Sequence, residues 1–446
     1  MVKVITYGTY DCLHYGHIRL LQRAKALGDY LIVGVTSEDF DINRGKINVK
    51  QSLVERIEAV RKTGLADKII IEEYQGQKID DIQRYDVDYF AVGSDWEGYF
   101  DYLKEYCQVV YLPRTDGISS TELRTAEMHL RMGIVGESKA VVAKFVREGK
   151  YVNGLEFYGI CSQELTDLPD YLQALPLHTQ DYQKLLEHVD AVYICTHPRK
   201  HYDLAREALS RGKHVICESP LLTNRSQCEE LFHMAESRGL ILMEAIKTAY
   251  SLAFNRMIVL IKSGLIGDVV SVDATCTSLA RDKDMVTWGG MYGWSPQALL
   301  AIFMILGVHY RTEQIVTQPI SSEETDAFTK IDFIYDQAVA SLKVGIGVKS
   351  EGELVVSGTK GYIYVPAPWW KTDYFEARYE DQRENKKFFY QLKGEGIRNM
   401  IVHFVQSVSS GKEQNSIPRY VSCQIAEVME SFQCKCNMVE IARKGE

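Results

Sequence analysis

No run of apolar residues in this 446-residue chain approaches the roughly 20 needed to cross a bilayer, so membrane insertion is not expected. The paired cysteine spacing of a disulfide framework is also missing: ten cysteines are scattered along the chain, as in thiols kept reduced inside a cell. Cys434 and Cys436 stand close together, but no histidine or second cysteine pair lies beside them, so a zinc site is not expected. Basic excess is lacking too. With 51 Lys and Arg against 60 Asp and Glu, the net charge of −9 excludes a general nucleic-acid binder, and any phosphate site must be local. Low-complexity linkers and short-period repeats are absent, which predicts closely packed domains. The first residues, MVKVITYGTYD, enter a strand pattern directly, without the apolar core and cleavage site of a secretory signal, so a cytoplasmic protein is the expectation.

What is present is an alternation of Val/Ile/Tyr-rich runs with helix-period segments. Val2-Thr6, Tyr30-Val35, Lys68-Ile71, Asp88-Val92 and Gln108-Leu112 read as strands of a parallel, doubly wound sheet. A second such series runs through Met132-Val135, Glu156-Cys161, Ala191-Cys195, His214-Glu218 and Leu240-Glu244. Beyond about residue 265, longer alternating runs at Val269-Thr275, Thr329-Tyr335, Ala338-Val348, Gly352-Ser357 and Gly361-Val365 predict a largely antiparallel sheet. The fold class is therefore α/β. It comprises an N-terminal Rossmann-like domain over 1–128, a second Rossmann domain over 129–250 and an α+β sheet domain over 251–446.

The loop after the first strand reads Gly8-Thr9-Tyr10-Asp11-Cys12-Leu13-His14-Tyr15-Gly16-His17 and opens a helix. A helix start offers unpaired N–H groups and a partial positive charge, and Gly16 lets a bulky phosphate approach the backbone. The competing reading makes His14 and His17 mere capping residues of the loop. Arg114-Thr115-Asp116-Gly117-Ile118-Ser119-Ser120-Thr121 follows the fifth strand and opens another helix with hydroxyl donors. Alone it could be a capped turn; beside the histidine pair it reads as a second phosphate cradle.

The runs GTYDCLHYGH, GSDWEGYFD at Gly93-Asp101 and RTDGISSTEL at Arg114-Leu123 resemble the bacterial glycerol-3-phosphate cytidylyltransferases of teichoic acid synthesis. The resemblance implies in-line attack of the acceptor phosphate on the α-phosphorus of CTP, giving CDP-glycerol and pyrophosphate. His14, His17 and Arg114 would be the catalytic groups. Thr9, Tyr10, Gly16, Asp95, Trp96, Thr115, Ser119, Ser120 and Thr121 would bind nucleotide. Arg44, Lys46 and Lys78 would read the acceptor phosphate, unless they are solvated surface charges. It further implies Mg²⁺ or another divalent ion, bridged mainly by the CTP phosphates, with Asp11 a candidate contact; no protein ligand set is assigned. Arg44 stands where lysine is usual and Tyr15 where tryptophan is, which keeps a related acceptor such as glycerol 2-phosphate or a longer alditol phosphate open.

From Arg131 the chain resembles the Gfo/Idh/MocA family of NAD(P)-dependent sugar oxidoreductases. Met132-Gly136, the run CTHPRKHYDLAREALSRGKHVICESPL from Cys195 to Leu221, MEAIKTAY at Met243-Tyr250 and FNRMIVLIKSGLIGDVVSV at Phe254-Val272 carry the resemblance. It implies Gly136, Thr196 and Glu218 as dinucleotide contacts. Three features depart from the family pattern. One glycine of three survives in the turn from Gly136, where Glu137 follows; Cys161-Ser162-Gln163 lacks a ribose-binding acid; and Glu218-Ser219-Pro220 stands for Glu-Lys-Pro. Lys247 or His309 could replace the missing lysine or be structural. Two readings follow for this half. In one it is a reductase that turns a keto sugar phosphate into a polyol phosphate with NAD(P)H; in the other it is a non-catalytic binding or dimerisation module. Both resemblances imply a homo-oligomer.

Overall fold

The computed structural model describes residues 1–43, 49, 51–74, 76–113, 129–136, 139–165, 168–279, 283–320, 325–390 and 392–442. The chain divides into two compact units, Met1–His129 with Lys150–Gly154, and Leu130–Gly149 with Leu155–Glu446.

In the first unit the Val/Ile-rich runs form β1 (Lys3–Gly8), β2 (Tyr30–Thr36), β3 (Lys68–Glu72), β4 (Tyr89–Gly93) and β5 (Gln108–Leu112). All pairings are parallel, in the order β3-β2-β1-β4-β5. Parallel strands need crossovers, which cover both faces and let apolar residues run on without alternation. Val4, Leu31, Val33 and Val35 point to one apolar cluster, and Ile5, Ile32, Phe90 and Val92 to the other. The order reverses between β1 and β4, and the crevice at their carboxyl ends is where ligands of this architecture bind.

A buried ion pair shapes that crevice. Arg56 stands on the apolar face of the helix Leu53–Lys62, in phase with Leu53, Ile57 and Val60, and is fully buried. Its Nη1 meets Asp41 Oδ2 at 3.2 Å and donates to the carbonyls of Thr9 (2.9 Å) and Thr36 (2.8 Å). Its Nε donates to the Gln51 carbonyl at 3.1 Å. Asp41 in turn accepts the hydroxyls of Thr9 (2.7 Å) and Thr36 (2.6 Å). One pair thus ties the loop after β1, the end of β2 and the start of a helix.

The second unit begins with β6 (Leu130–Gly136), β7 (Leu155–Cys161), β8 (Leu177–Thr179), β9 (Ala191–Cys195), β10 (His214–Glu218) and β11 (Leu242–Ala245). They pair in parallel in the order β11-β10-β9-β6-β7-β8, again reversing beside the first strand. The sequence reading missed β8, whose three residues are too few to establish a period. A nine-stranded mixed sheet follows: β12 (Val269–Ser278), β13 (Thr312–Pro319), β14 (Asp326–Ile334), β15 (Val339–Ile346), β16 (Leu354–Gly358), β17 (Tyr362–Val365), β18 (Tyr374–Arg378), β19 (Lys386–Phe389) and β20 (Met438–Glu440). Its order is β19-β18-β17-β16-β12-β15-β14-β13-β20. The pairs β12/β15 and β13/β20 are parallel and the rest antiparallel. Five of these strands were expected; β13, β18, β19 and β20 are short or polar and earn their place by pairing.

Within this unit the helix Arg419–Gln433 returns from the sheet to the Rossmann part and packs on the helix Arg225–Ser237. Asn224 Nδ2 donates to Glu430 at 2.7 Å, and Arg225 Nη1 donates to Gln424 at 3.0 Å. The exit from β11 is tied to the sheet as well, since the hydroxyls of Thr248 and Ser251 donate to the carbonyls of Trp370 (3.0 Å) and Thr372 (2.9 Å).

Two stability outcomes follow. Arg56→Met leaves Asp41 charged and buried, so we expect a loss of about 3–5 kcal/mol in denaturant unfolding, partly recovered in Arg56→Met/Asp41→Asn; equal losses in both variants would refute the pairing. Glu244, in β11, is fully buried and accepts the Leu221 N–H at 3.0 Å. Burial pushes its carboxyl up to about 7. The folded state therefore holds this proton more tightly than the unfolded chain, and the stability it contributes is lost as pH rises through about 7. Glu244→Gln should match wild type near pH 5 in thermal melts and exceed it at pH 8, by on the order of 3 kcal/mol at most.

Candidate active sites

At the carboxyl end of β1 the chain turns sharply, with Tyr10 (φ 53°) and Cys12 (φ 47°) both left-handed. Such strain persists where surroundings over-determine it, and here the Cys12 N–H donates to Gln51 Oε1 at 2.7 Å while the Gln51 N–H donates to Asp11 at 3.0 Å. His14 is the extended N-cap of the helix Tyr15–Lys25, and its Nδ1 accepts the Gly16 N–H at 3.1 Å. An acceptor Nδ1 carries no proton, so the neutral ring is protonated on Nε2. One helical turn on, His17 stacks on His14 with ring centroids 4.0 Å apart. Both rings are half-buried at a helix start whose N–H groups and dipole favour an anion.

Tyr10 differs from expectation. Its ring is 1% exposed, lies in the apolar cluster and presents its edge to His17 at 5.6 Å, so packing engages the side chain that was expected to touch nucleotide. The Thr9 hydroxyl is likewise engaged by Asp41. Asp95 and Trp96 form a short turn directly after β4, beside β1 in the sheet, so the topology brings them to the same crevice as the histidines. Asp95 is exposed, and Trp96 packs edge-on to Tyr99 and tilted against Phe100 at 5.3 and 5.9 Å. Lys78 is no solvated surface charge. It is buried, pairs with Glu72 at the end of β3, and its ammonium stands 4.6 Å over the Tyr7 ring. Arg44, Lys46, Arg114, Thr115, Ser119, Ser120 and Thr121 lie outside the described residues. Among the described residues no group of three or more His, Cys, Asp or Glu is placed to hold a metal. Asp41, Gln51 and Arg56 were missed, although an arginine in the apolar phase of a helix is a sign of a buried partner.

The second unit carries a cavity of about 320 Å³ at the carboxyl ends of β10 and β11. Glu218 and Ser219 enter it from β10, Lys247 from the end of β11, and Trp294 and Gln297 from the helix Lys283–Leu306. Tyr193 of β9 stacks on Phe145 at 3.7 Å and donates its hydroxyl to Glu218. Burial pushes the Glu218 carboxyl up and pulls the Lys247 ammonium down. Lys247 therefore brings an ammonium into the cavity where Ser219 has none. His309 is exposed and does not line the cavity. His201 is fully buried, with its ring nitrogens against the carbonyls of Thr196 (2.8 Å) and Pro220 (3.0 Å), and braces two loops.

Of the three expected dinucleotide contacts, Glu218 lines this cavity while Gly136 and Thr196 end the neighbouring strands β6 and β9. A Cβ on Gly136 would sit 2.1 Å from Cys195 Sγ, so strand packing by itself requires glycine there. Ser162 follows β7 and accepts the Glu164 N–H at 3.2 Å, leaving no carboxylate at the usual place for a ribose diol. Glu137 lies outside the described residues.

Comparison with known proteins divides at the same point in the chain. Residues 5–126 match the cytidylyltransferase-like family model, and residues 130–246 match the model of the oxidoreductase family with an NAD-binding Rossmann fold. Glycerol-3-phosphate cytidylyltransferase of Bacillus spizizenii is 52% identical over 124 residues, covering 28% of this chain and 95% of that enzyme. Its Staphylococcus aureus counterpart is 48% identical over 130 residues, covering 28% and 93%. For the second unit, a rabbit (Oryctolagus cuniculus) trans-1,2-dihydrobenzene-1,2-diol dehydrogenase is 29% identical over 259 residues, covering 55% of this chain and 78% of that enzyme. A 3-ketoreductase from Actinomadura kijaniata, solved with NADP and TDP-benzene, shares the fold with a TM-score of 0.63 at 20% identity over 71% of this chain and 99% of its own. Through its first unit the chain belongs to the glycerol-3-phosphate cytidylyltransferase family, and that unit is fused to a Gfo/Idh/MocA oxidoreductase domain.

Proposed function

We propose that the chain joins CTP to glycerol 3-phosphate, releasing pyrophosphate, in the supply of CDP-glycerol for teichoic acid or a related envelope polymer. The stacked His14 and His17 at a helix start carry this reading. In-line attack of the acceptor phosphate on the α-phosphorus builds charge on the α-phosphate and the leaving pyrophosphate. Preorganised donors matched to that charge lower the barrier. The cap that makes His14 Nδ1 an acceptor leaves Nε2–H as the donor, and stacking holds His17 beside it. Arg114, Thr115, Ser119, Ser120 and Thr121 hold the triphosphate, with Asp95 and Trp96 at the base. Thr9 and Tyr10 contribute through backbone, and Arg44 and Lys46, with Lys78 if it parts from Glu72, bind the acceptor phosphate. Mg²⁺ or another divalent ion would neutralise charge on the CTP phosphates. The domains span 1–128, 129–250 and 251–446.

A second activity is favoured by Lys247, whose ammonium stands in the cavity with Glu218 and Ser219. In this reading the second unit reduces a keto sugar phosphate to the polyol phosphate that the first unit activates. Lys247 would give its proton to the carbonyl oxygen, and a bound NAD(P)H would supply the hydride. A lysine whose pKa burial draws down is suited to this transfer. Ser162 and Gln163, in place of the ribose-binding carboxylate after β7, favour NADP(H) over NAD(H). A non-catalytic module would keep the fold and bind neither dinucleotide.

Purified protein incubated with CTP, Mg²⁺ and a panel of polyol phosphates should give CDP-glycerol by mass, and activity with phosphoethanolamine alone would refute the acceptor. His17→Ala is expected to lose about 10²-fold or more in turnover with an unchanged melting temperature, and wild-type turnover would remove His17 from the mechanism. Titration of the full chain with NADPH should quench tryptophan emission saturably and more tightly than NADH; no binding of either would sink the reductase reading.

A further inference from the structure

Glu395 is the carboxylate of a lysine cluster. Its Oε2 meets Lys247 Nζ at 2.6 Å and Lys144 Nζ at 3.3 Å, and its Oε1 meets Lys371 Nζ at 2.8 Å. These lysines come from three separate elements: the helix Lys139–Gly149, the segment after β11 and the turn before β18. All four residues line the same cavity as Glu218 and Ser219. Three ammonium groups face two carboxylates in this cavity, Glu395 and Glu218, so cations are in excess even with both carboxylates charged, in a recess where Lys247 keeps only 22% of its side-chain exposure. Like charges are drawn together at this density when an anion of higher charge belongs among them.

The segment that supplies the carboxylate is held in an unusual conformation. Gly394 (φ 59°), Glu395 (φ 55°) and Gly396 (φ 85°) are three successive left-handed residues. The middle one pays the penalty of a Cβ in that region, and glycine on either side gives the backbone freedom to leave it. Burial raises the Glu395 carboxyl, yet hydrogen bonds from Lys247 and Lys371 bring it down to about 2, so it is an anion at every working pH. A phosphate monoester carries about −1.5 to −2 at neutral pH and offers three acceptor oxygens. It matches three lysines better than one carboxylate does.

We propose that Lys144, Lys247 and Lys371 form a binding site for the phosphate monoester group of a small ligand, and that Glu395 is an internal stand-in which the ligand displaces. The site shares Lys247 and its cavity with the reductase reading but does not rest on it, since phosphate binding needs no reduction. If reduction does occur, the site selects phosphorylated over neutral sugars, and opening the Gly394-Glu395-Gly396 turn is part of ligand entry.

Calorimetric titration of the full chain with inorganic phosphate tests this. Phosphate bound at the cytidylyl site contributes equally to every variant, so the readout is the difference between them. Glu395→Gln removes the internal competitor and should tighten phosphate binding at least about tenfold. Lys371→Met should abolish that component, and Lys144→Met, at a more exposed position, should weaken it if the first substitution prevents folding. Thermal melts and circular dichroism of each variant report that the second unit is folded. Identical phosphate isotherms in wild type, Glu395→Gln and the lysine variants would overturn the proposal, as would stronger binding of malonate than of phosphate.

Discussion

Parallel strand pairing is the constraint on which both units rest. It obliges each strand to be followed by a crossover, and where the strand order reverses the crossovers leave on opposite faces and open a crevice at the carboxyl ends. The reversal falls between β1 and β4 in the first unit and between β6 and β9 in the second. The histidine pair stands directly after β1, while the second cavity lies one and two strands beyond its reversal, at the ends of β10 and β11. Chemistry differs between the units because different loops were placed on the same kind of edge.

Buried charge is the second theme, and it is handled in different ways. In the first unit Arg56 and Asp41 are fully enclosed, with Arg56 donating to three carbonyls and Asp41 accepting two hydroxyls, so their role is to hold the loop after β1 in its strained form. Removing either one would leave a charge without solvent or partner, which costs more than the pair contributes. In the second unit Glu244 lies in the low-dielectric interior without a cation and takes up a proton more readily instead. Around Glu395 the balance is reversed, with cations in excess and room for a ligand.

Much of this was legible in advance. The strands of both parallel sheets came from Val/Ile-rich runs, and the sharp turn and helix start at His14 and His17 from a glycine between histidines after the first strand. Less legible were the edges: β8, β19 and β20 have only three or four residues, and pairing with a neighbour decides them rather than local period. Lys78 read as an acceptor-phosphate contact or a surface cation, because nothing in its own helix announces that Glu72 and Tyr7 enclose it.

The sequence by itself determined the two Rossmann units, the cytidylyltransferase family of the first and the loss of the usual lysine and ribose acid in the second, because these depend on residues near one another along the chain. Tertiary structure decided that Tyr10 packs inward, that Arg56 braces the loop after β1, that Lys247 returns an ammonium to the cavity lacking one at Ser219, and that Glu395 sits among Lys144, Lys247 and Lys371. Those contacts join residues up to 251 positions apart. Electrostatic partners so distant leave no period or spacing in a sequence; only the packing of several elements fixes which charges meet and how little water lies between them.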